Sequence, residues 1–193
     1  GAQVASEWMR RYARDPTAPG PDRLTFVLFG NPLRASGGEK VGHPTRRTTG
    51  LATPTDTPWH IVDVARRYDG FADSPQDKSN GDAVRNANLG KLFIHPHYEG
   101  VDLNDPSLVI WNRGNTTFVL TDEPALPIFQ KSGAGPGQAE AMRSRIESAI
   151  AVSDTAGGQS ASGRVVPVDD SAYWRMRRRA VARSIWRSRA TMR

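Results

Sequence analysis

Two acids and two histidines are the residues of this chain whose types and spacing could do chemistry together. Asp69 and Asp73 follow a predicted strand at residues 61–65 (IVDVA), and His95 and His97 come about two dozen residues later. An acid just beyond a strand, followed further along the chain by a histidine, is the order in which a Ser-His-Asp hydrolase on an α/β sheet places its acid and base. The pattern therefore predicts two members of a catalytic triad, and the serine is the member still to be found.

The elements that would position these side chains can be predicted from the surrounding pattern. Residues 61–65 indicate a buried strand, and a polar helical segment separates the acids from the histidines. Residues 24–29 (LTFVLF) predict another strand, buried on both faces, which ends at a structural turn, Gly-Asn-Pro. Residues 108–111 and 116–120 flank a Gly-containing turn and predict a hairpin.

An amphipathic helix is predicted before the first strand, at residues 2–14, with Val4, Trp8 and Tyr12 along its apolar line. A helix followed by such strands indicates an α/β fold, a parallel sheet with helices on both faces. The long Gly-, Pro- and Thr-rich stretch at residues 34–60 predicts a lid or a binding rim.

The division of the chain follows from changes in composition. We predict a first portion at residues 1–130, a linker with one helix (138–152) at residues 131–163, and a basic helical tail at residues 164–193. The net charge of +6 belongs to that tail, because residues 171–193 contain eight arginines and no acid. Such a tail predicts an acidic partner, a nucleic acid or an anionic surface.

Metal and cofactor chemistry is not predicted. The chain has no cysteine, so it offers neither a disulfide nor a thiolate metal site. His95 and His97 flank a proline and could form half of a metal site, but no third ligand follows at a familiar spacing. We therefore predict no metal and no cofactor.

Five short motifs, FVLFGNP, RRYDGFADSP, FIHPHY, GNTTFVL and ALPIF, occur in this order between about residues 24 and 129. At these motifs the chain resembles the PE-PPE domain family of mycobacterial serine hydrolases, which are related to the cutinases and to mycobacteriophage mycolyl-ester hydrolases. The resemblance implies an α/β-hydrolase fold and cleavage of lipid-like esters of the actinobacterial envelope.

The same resemblance implies that the nucleophile is missing from this portion. The family's elbow, Gly-Tyr-Ser-Gln-Gly/Ser-Ala, precedes a helix like the one predicted here, and the opening residues GAQVAS are similar to the residues after its Ser-Gln. We expect the serine and one oxyanion-hole donor to lie upstream. No Gly-x-Ser-x-Gly occurs among the 193 residues, and Ser6, on the predicted helix, is not at a strained turn where a nucleophile could act.

Within this interpretation, the resemblance assigns the catalytic acid to Asp73, in the turn GFADSP, with Asp69 as the alternative. It assigns the base to His95, through a His-x-x-Tyr pattern that ends at Tyr98, with His97 as the alternative. The purely structural alternative for either acid is a turn cap, because Asp commonly bonds the backbone of its own turn.

The functional expectation is a portion of a serine esterase that supplies the triad Asp and His but is inactive alone. An upstream hydrolase half or a neighbouring chain would cover the open sheet edge, since an unpaired edge invites pairing. We expect an extracellular or cell-envelope location. The alternative is a non-catalytic phage virion component, such as a minor tail protein, that keeps the fold for assembly or host binding.

Overall fold

A computed structural model describes residues 1–130 and 133–155 of the chain. The predicted basic tail at residues 164–193 lies outside the described residues. None of the helices in the described part is long and apolar enough to cross a membrane.

The centre of the fold is a mixed sheet of four strands. Its strands are β1 (Thr25–Phe29), β2 (His60–Arg66), β3 (Val109–Arg113) and β4 (Thr116–Thr121), arranged in the order β1-β2-β4-β3. β2 pairs in parallel with both β1 and β4, whereas β3 pairs with β4 in antiparallel fashion. The predicted hairpin is confirmed. It also explains why the sheet is not wholly parallel, since a short turn can join only antiparallel strands.

Strand β1 differs from the expectation that it is buried on both faces. It lies at one end of the strand order, most of its side chains are only half-buried, and Phe29 is 44% exposed. Among the described strands, only β2 pairs with it. The apolar run thus reflects an edge strand with partly covered side chains, which the sequence pattern does not distinguish from a central one.

The described residues also form three α-helices: α1 (Ala2–Tyr12), α2 (Gly81–Phe93) and α3 (Pro136–Thr155). The predicted first helix is confirmed, but its apolar line is wrong at Val4, which is 74% exposed. The buried positions of α1 are Ser6 and Met9. Trp8 and Tyr12 of the predicted line do pack against the core cluster that contains Met9.

Helix α3 falls where a helix was expected at residues 138–152. Its Ile146 and Ile150 are buried together with Tyr68 and Leu126. The boundaries of the three predicted portions stay predictions, although this helix packs into the same core as residues before 130.

A buried ion pair lies between β2 and the loop after β1. Arg34 donates from Nη1 to Oδ1 of Asp63 at 3.0 Å and to the Asp63 carbonyl at 2.7 Å. Asn31 donates to the other carboxylate oxygen at 2.7 Å. The guanidinium also lies over the rings of Trp111 and Phe118, at 5.0 and 5.1 Å from their centroids. Burial raises the pKa of Asp63, while Arg34 and Asn31 act in the opposite direction.

Removing one partner of this ion pair should lower the free energy of unfolding more than removing both partners. Arg34→Met leaves the Asp63 carboxylate buried without its cation, so we expect the free energy of unfolding to fall by about 3–5 kcal/mol. The double variant Arg34→Met/Asp63→Leu removes the stranded charge and should regain most of that loss. Urea unfolding followed by circular dichroism measures both.

Arg145→Met is the matched control, because Arg145 faces Asp82 at 3.5 Å in an exposed pair. Its loss should stay below about 1 kcal/mol. A double variant as unstable as Arg34→Met alone would contradict the assignment of the cost to an unpaired charge.

Candidate active site

Asp69 and His95 form a hydrogen-bonded pair just beyond the carboxyl end of β2. The Nδ1 atom of His95 lies 2.9 Å from Oδ2 and 3.1 Å from Oδ1 of Asp69. The Asp69 side chain is fully buried, whereas the His95 side chain is 34% exposed. Because an ionised carboxylate only accepts, Nδ1 carries the proton and Nε2 is the basic nitrogen. No residue in the described part bonds to that Nε2.

The turn after β2 fixes the acid. Its backbone closes on itself: the amide of Asp73 donates to the Asp69 carbonyl at 2.7 Å, and the amide of Phe71 donates to Oδ1 of Asp69 at 2.9 Å. Gly70 packs directly on α2, because a Cβ atom there would lie 1.9 Å from the carbonyl oxygen of Ala87. A glycine at this position lets the turn approach the helix that precedes His95.

Asp73 serves the same turn from the other side. Its Oδ2 accepts from the backbone amide of Tyr68 at 2.7 Å, and its Oδ1 lies 3.7 Å from Nη1 of Arg67. Tyr68 has a left-handed φ of 65°, so the bond from Asp73 supports an otherwise unfavourable conformation. The structure therefore brings Asp69, the alternative acid, to the Nδ1 of His95. Which acid acts in catalysis stays a prediction.

His97 is not held by either acid. It is exposed, and its Nδ1 lies 3.3 Å from Glu99, which is exposed as well. His60 lies at the first residue of β2, where burial lowers its pKa and its Nε2 lies 3.2 Å from the hydroxyl of Thr117. Within residues 1–130 and 133–155, no three His, Cys, Asp or Glu side chains are grouped to hold a metal ion.

Gly30, at the end of β1, contacts the pair of His95 and Asp69, whereas the sequence predicts only a turn at this position. Its φ is +59°, and a Cβ atom there would lie 2.8 Å from Cε1 of His95 and 3.1 Å from Oδ2 of Asp69. The ring of Phe71 also contacts the imidazole edge-on, with 4.6 Å between the two ring centroids. The signal available in the sequence was a glycine directly after an apolar strand, at the edge where parallel strands gather functional residues.

Ser6 is inaccessible, as expected for a residue that is not the nucleophile. It lies on α1 with no exposed surface, and its hydroxyl bonds the carbonyl of Ala2 at 2.9 Å and the hydroxyl of Thr53 at 2.7 Å. Thr53 in turn accepts from Asn31 at 2.8 Å. Ser6 therefore belongs to the polar network that ends at Asp63.

Comparison with known proteins identifies the family. Residues 1–150 match the model of the PE-PPE domain. This chain belongs to the PE-PPE domain family. Among similar proteins of Mycobacterium tuberculosis, Esterase PE16 is 37% identical over 143 residues, which is 67% of this chain and 27% of the relative. The PE family protein PE3 is 34% identical over 153 residues, 70% of this chain and 32% of the relative.

A third relative from the same organism, Diacyltrehalose acyltransferase Chp2, is 34% identical over 107 residues, 49% of this chain and 30% of the relative. The PE-PPE chain described here thus spans less than a third of the length of each of these three relatives. No solved structure matches it.

The close approach of Gly30 predicts that a single methyl group disturbs the pair. In Gly30→Ala the new Cβ overlaps the imidazole, so we expect the hydrogen bond between His95 and Asp69 to be lost. The measurement is the downfield proton signal of His95 Nδ1–H, recorded by NMR on the ¹⁵N-histidine-labelled chain.

Gly133→Ala is the control for backbone strain. Gly133 has a similar φ of +63°, but a Cβ atom there meets nothing within 4 Å. It should keep the His95 signal at the wild-type position. Loss of the signal in both variants would show that strain, not contact with the imidazole, is responsible.

Proposed function

We propose that this chain supplies the acid and the base of a serine esterase that cleaves lipid esters of the actinobacterial envelope. The observation that carries this proposal is the bond from His95 Nδ1 to the buried Asp69, which leaves Nε2 as the basic nitrogen of a partly exposed side chain. Membership of the PE-PPE family supports it, as does the similarity to Esterase PE16.

In the proposed reaction His95 moves the proton. Its Nε2 takes the proton of a serine hydroxyl as the serine oxygen attacks the ester carbonyl, and then gives that proton to the leaving alcohol. Water repeats the sequence on the acyl-enzyme, which releases the acid and restores the serine. Asp69 keeps the Nδ1–H orientation and stabilises the imidazolium without itself taking the proton.

The serine would come from outside the described residues. Ser6 is buried in the polar network, and the full sequence contains no Gly-x-Ser-x-Gly. We propose that a segment with the serine elbow, in a longer chain or in a separate one, pairs along the outer edge of β1. That edge is suited to it, because Gly30 at its carboxyl end touches His95. The attacking hydroxyl and an oxyanion donor would then enter on the side of Nε2.

A second candidate reaction is acyl transfer. It is favoured by the similarity to Diacyltrehalose acyltransferase Chp2. The two reactions share the acyl-enzyme and differ only in whether water or a sugar hydroxyl attacks it, so the same acid–base pair serves both. Adding a sugar alcohol to the assay separates them: transfer yields the acylated sugar, and hydrolysis yields the free acid.

Several expectations remain predictions. The cell-envelope or extracellular location and the role as a phage virion component are tested by none of these observations. The partner of the basic tail also stays a prediction, since residues 164–193 lie outside the described residues.

Complementation tests the proposed function. The 193-residue chain, mixed with or fused to an upstream segment of a family relative that carries the serine elbow, should cleave a chromogenic short-chain ester, whereas the chain alone should not. His95→Ala should lower kcat by about 10⁶-fold, because the base is lost. His97→Ala is the control and should change kcat by less than about twofold, since the His97 side chain is exposed and lies beside the exposed side chain of Glu99.

Hydrolysis by the isolated chain at the complemented rate would refute the need for an external serine. Inactivity of every complemented pair would remove the esterase proposal.

The two acids are separated by matched amide variants in the complemented enzyme. Asp69→Asn removes the anion that fixes the His95 tautomer, so kcat should fall by about 10⁴-fold. Asp73→Asn weakens the bond to the Tyr68 amide and should mainly lower the free energy of unfolding, by about 1–2 kcal/mol. Thermal melting and initial rates distinguish them. The opposite result, with activity lost at Asp73 alone, would assign the catalytic acid to Asp73.

A further inference from the structure

The phenol of Tyr98 forms a second bridge to the acid of the pair. Its hydroxyl donates to Oδ2 of Asp69 at 2.6 Å and accepts from the backbone amide of Arg66 at 3.0 Å. A backbone amide can only donate, so the single phenolic proton is directed to the carboxylate. Oδ2 thus receives hydrogen bonds from both Tyr98 and His95.

The phenol stays a donor across the ordinary pH range. Burial, and then the neighbouring Asp69 carboxylate, raise the pKa of Tyr98 well above its usual value. The ring is also held by packing, because it meets the ring of Phe29 edge-on at 5.8 Å. Donor and ring are therefore fixed by different contacts, and a variant that removes the hydroxyl alone keeps the packing.

The loop that carries His95 and Tyr98 is tied to the end of β2 by Arg66. The Arg66 guanidinium donates to the carbonyl of His97, and it holds both carboxylate oxygens of Glu123, at 2.5 and 2.7 Å. The Arg66 amide meanwhile bonds the Tyr98 hydroxyl. Arg66 thus anchors the loop at two points, the His97 carbonyl and the Tyr98 hydroxyl, and these contacts fix the position of the phenol.

From this geometry we propose that Tyr98 is a positioning residue: its hydroxyl fixes the Asp69 carboxylate and, through it, keeps His95 in the Nδ1–H tautomer with Nε2 as the base. The inference rests on the proposed esterase function for its catalytic meaning. Its structural content concerns only the orientation of Asp69 and the location of the imidazole proton.

The first experiment needs no activity. ¹⁵N-histidine NMR of the full chain should show His95 as the Nδ1–H tautomer, with a downfield proton signal. In Tyr98→Phe that signal should move or broaden, and a mixture with the Nε2–H tautomer should develop, because one oxygen of Asp69 loses its strongest neutral donor. An unchanged tautomer and an unchanged proton signal would overturn the proposal.

Tyr12→Phe is the matched control. The Tyr12 ring lies tilted against the ring of Trp8, with 5.0 Å between the centroids, and its hydroxyl makes no hydrogen bond among the described residues. It should leave the His95 signals at their wild-type positions. A change in those signals equal to that of Tyr98→Phe would overturn the proposal, since it would show a general response to a lost hydroxyl.

A second measurement covers a Tyr98→Phe variant that fails to fold. Uniform 3-fluorotyrosine labelling keeps every ring and hydroxyl but makes each phenol a stronger donor. The His95 proton signal should shift, because Tyr98 is the one tyrosine of the described residues whose hydroxyl bonds Asp69. A signal that stays in place would count against the proposed role.

Kinetics of the complemented enzyme then connect positioning to catalysis. Tyr98→Phe should lower kcat by about 10-fold and leave KM unchanged, because a bond to a charged group is lost but no substrate contact. A full kcat alongside an altered tautomer would overturn the catalytic part of the proposal. If no complemented enzyme is active, the esterase proposal fails, while the tautomer measurement still decides the role of Tyr98.

Discussion

The buried carboxylate of Asp69 is the constraint on which the candidate site depends. An anion without exposed surface is tolerated only where donors surround it. Here they are the Phe71 amide, the Tyr98 hydroxyl and His95. The first comes from the turn after β2 and the other two from the loop after α2, so the acid cannot be satisfied until both segments are in place. The cost of burying the charge thereby helps to define the arrangement of the site.

A second buried acid, Asp63, differs from Asp69 in the side chain that it faces. Asp63 lies within β2 and forms a buried ion pair with Arg34. Such a pair holds the loop after β1 against the sheet. Asp69 instead faces the imidazole of His95, which has one nitrogen that donates a proton and one that accepts. One strand and the turn after it thus hold one acid that stabilises the fold and one that is suited to acid–base chemistry.

The site lies where parallel strands end. Gly30 closes β1 and Asp69 follows β2, and these neighbouring ends bring a glycine and an acid to the Nδ1 side of one imidazole. Functional residues of open α/β sheets gather at such carboxyl edges, because the loops there converge while helices cover the faces. The other side of the imidazole, at Nε2, is the direction from which a nucleophile would come. In the proposal, the segment that carries the nucleophile pairs with the edge of β1 beside His95.

The chain belongs to the PE-PPE family. It covers less than a third of the length of each of the three relatives compared above. The printed names of two relatives refer to an esterase and an acyltransferase. In the proposed mechanism both reactions pass through an acyl-enzyme, which is why an acid–base pair alone does not distinguish them. The acceptor that reaches the acyl group would decide, and it would be bound by parts of the protein beyond this pair.

The sequence by itself determined the strands, the hairpin, the helices and the short set of acids and histidines, because apolar period, turn residues and family motifs are local signals. It did not determine that Val4 faces outward or that β1 is an edge strand, since both depend on what packs against them. It also left two acids open. Asp69 and Asp73 are four residues apart on one turn, and only the folded backbone decided that Asp73 caps the Tyr68 amide while Asp69 meets His95. The direction of a side chain at a turn depends on φ and on distant donors, and neither is encoded in the spacing of the residues.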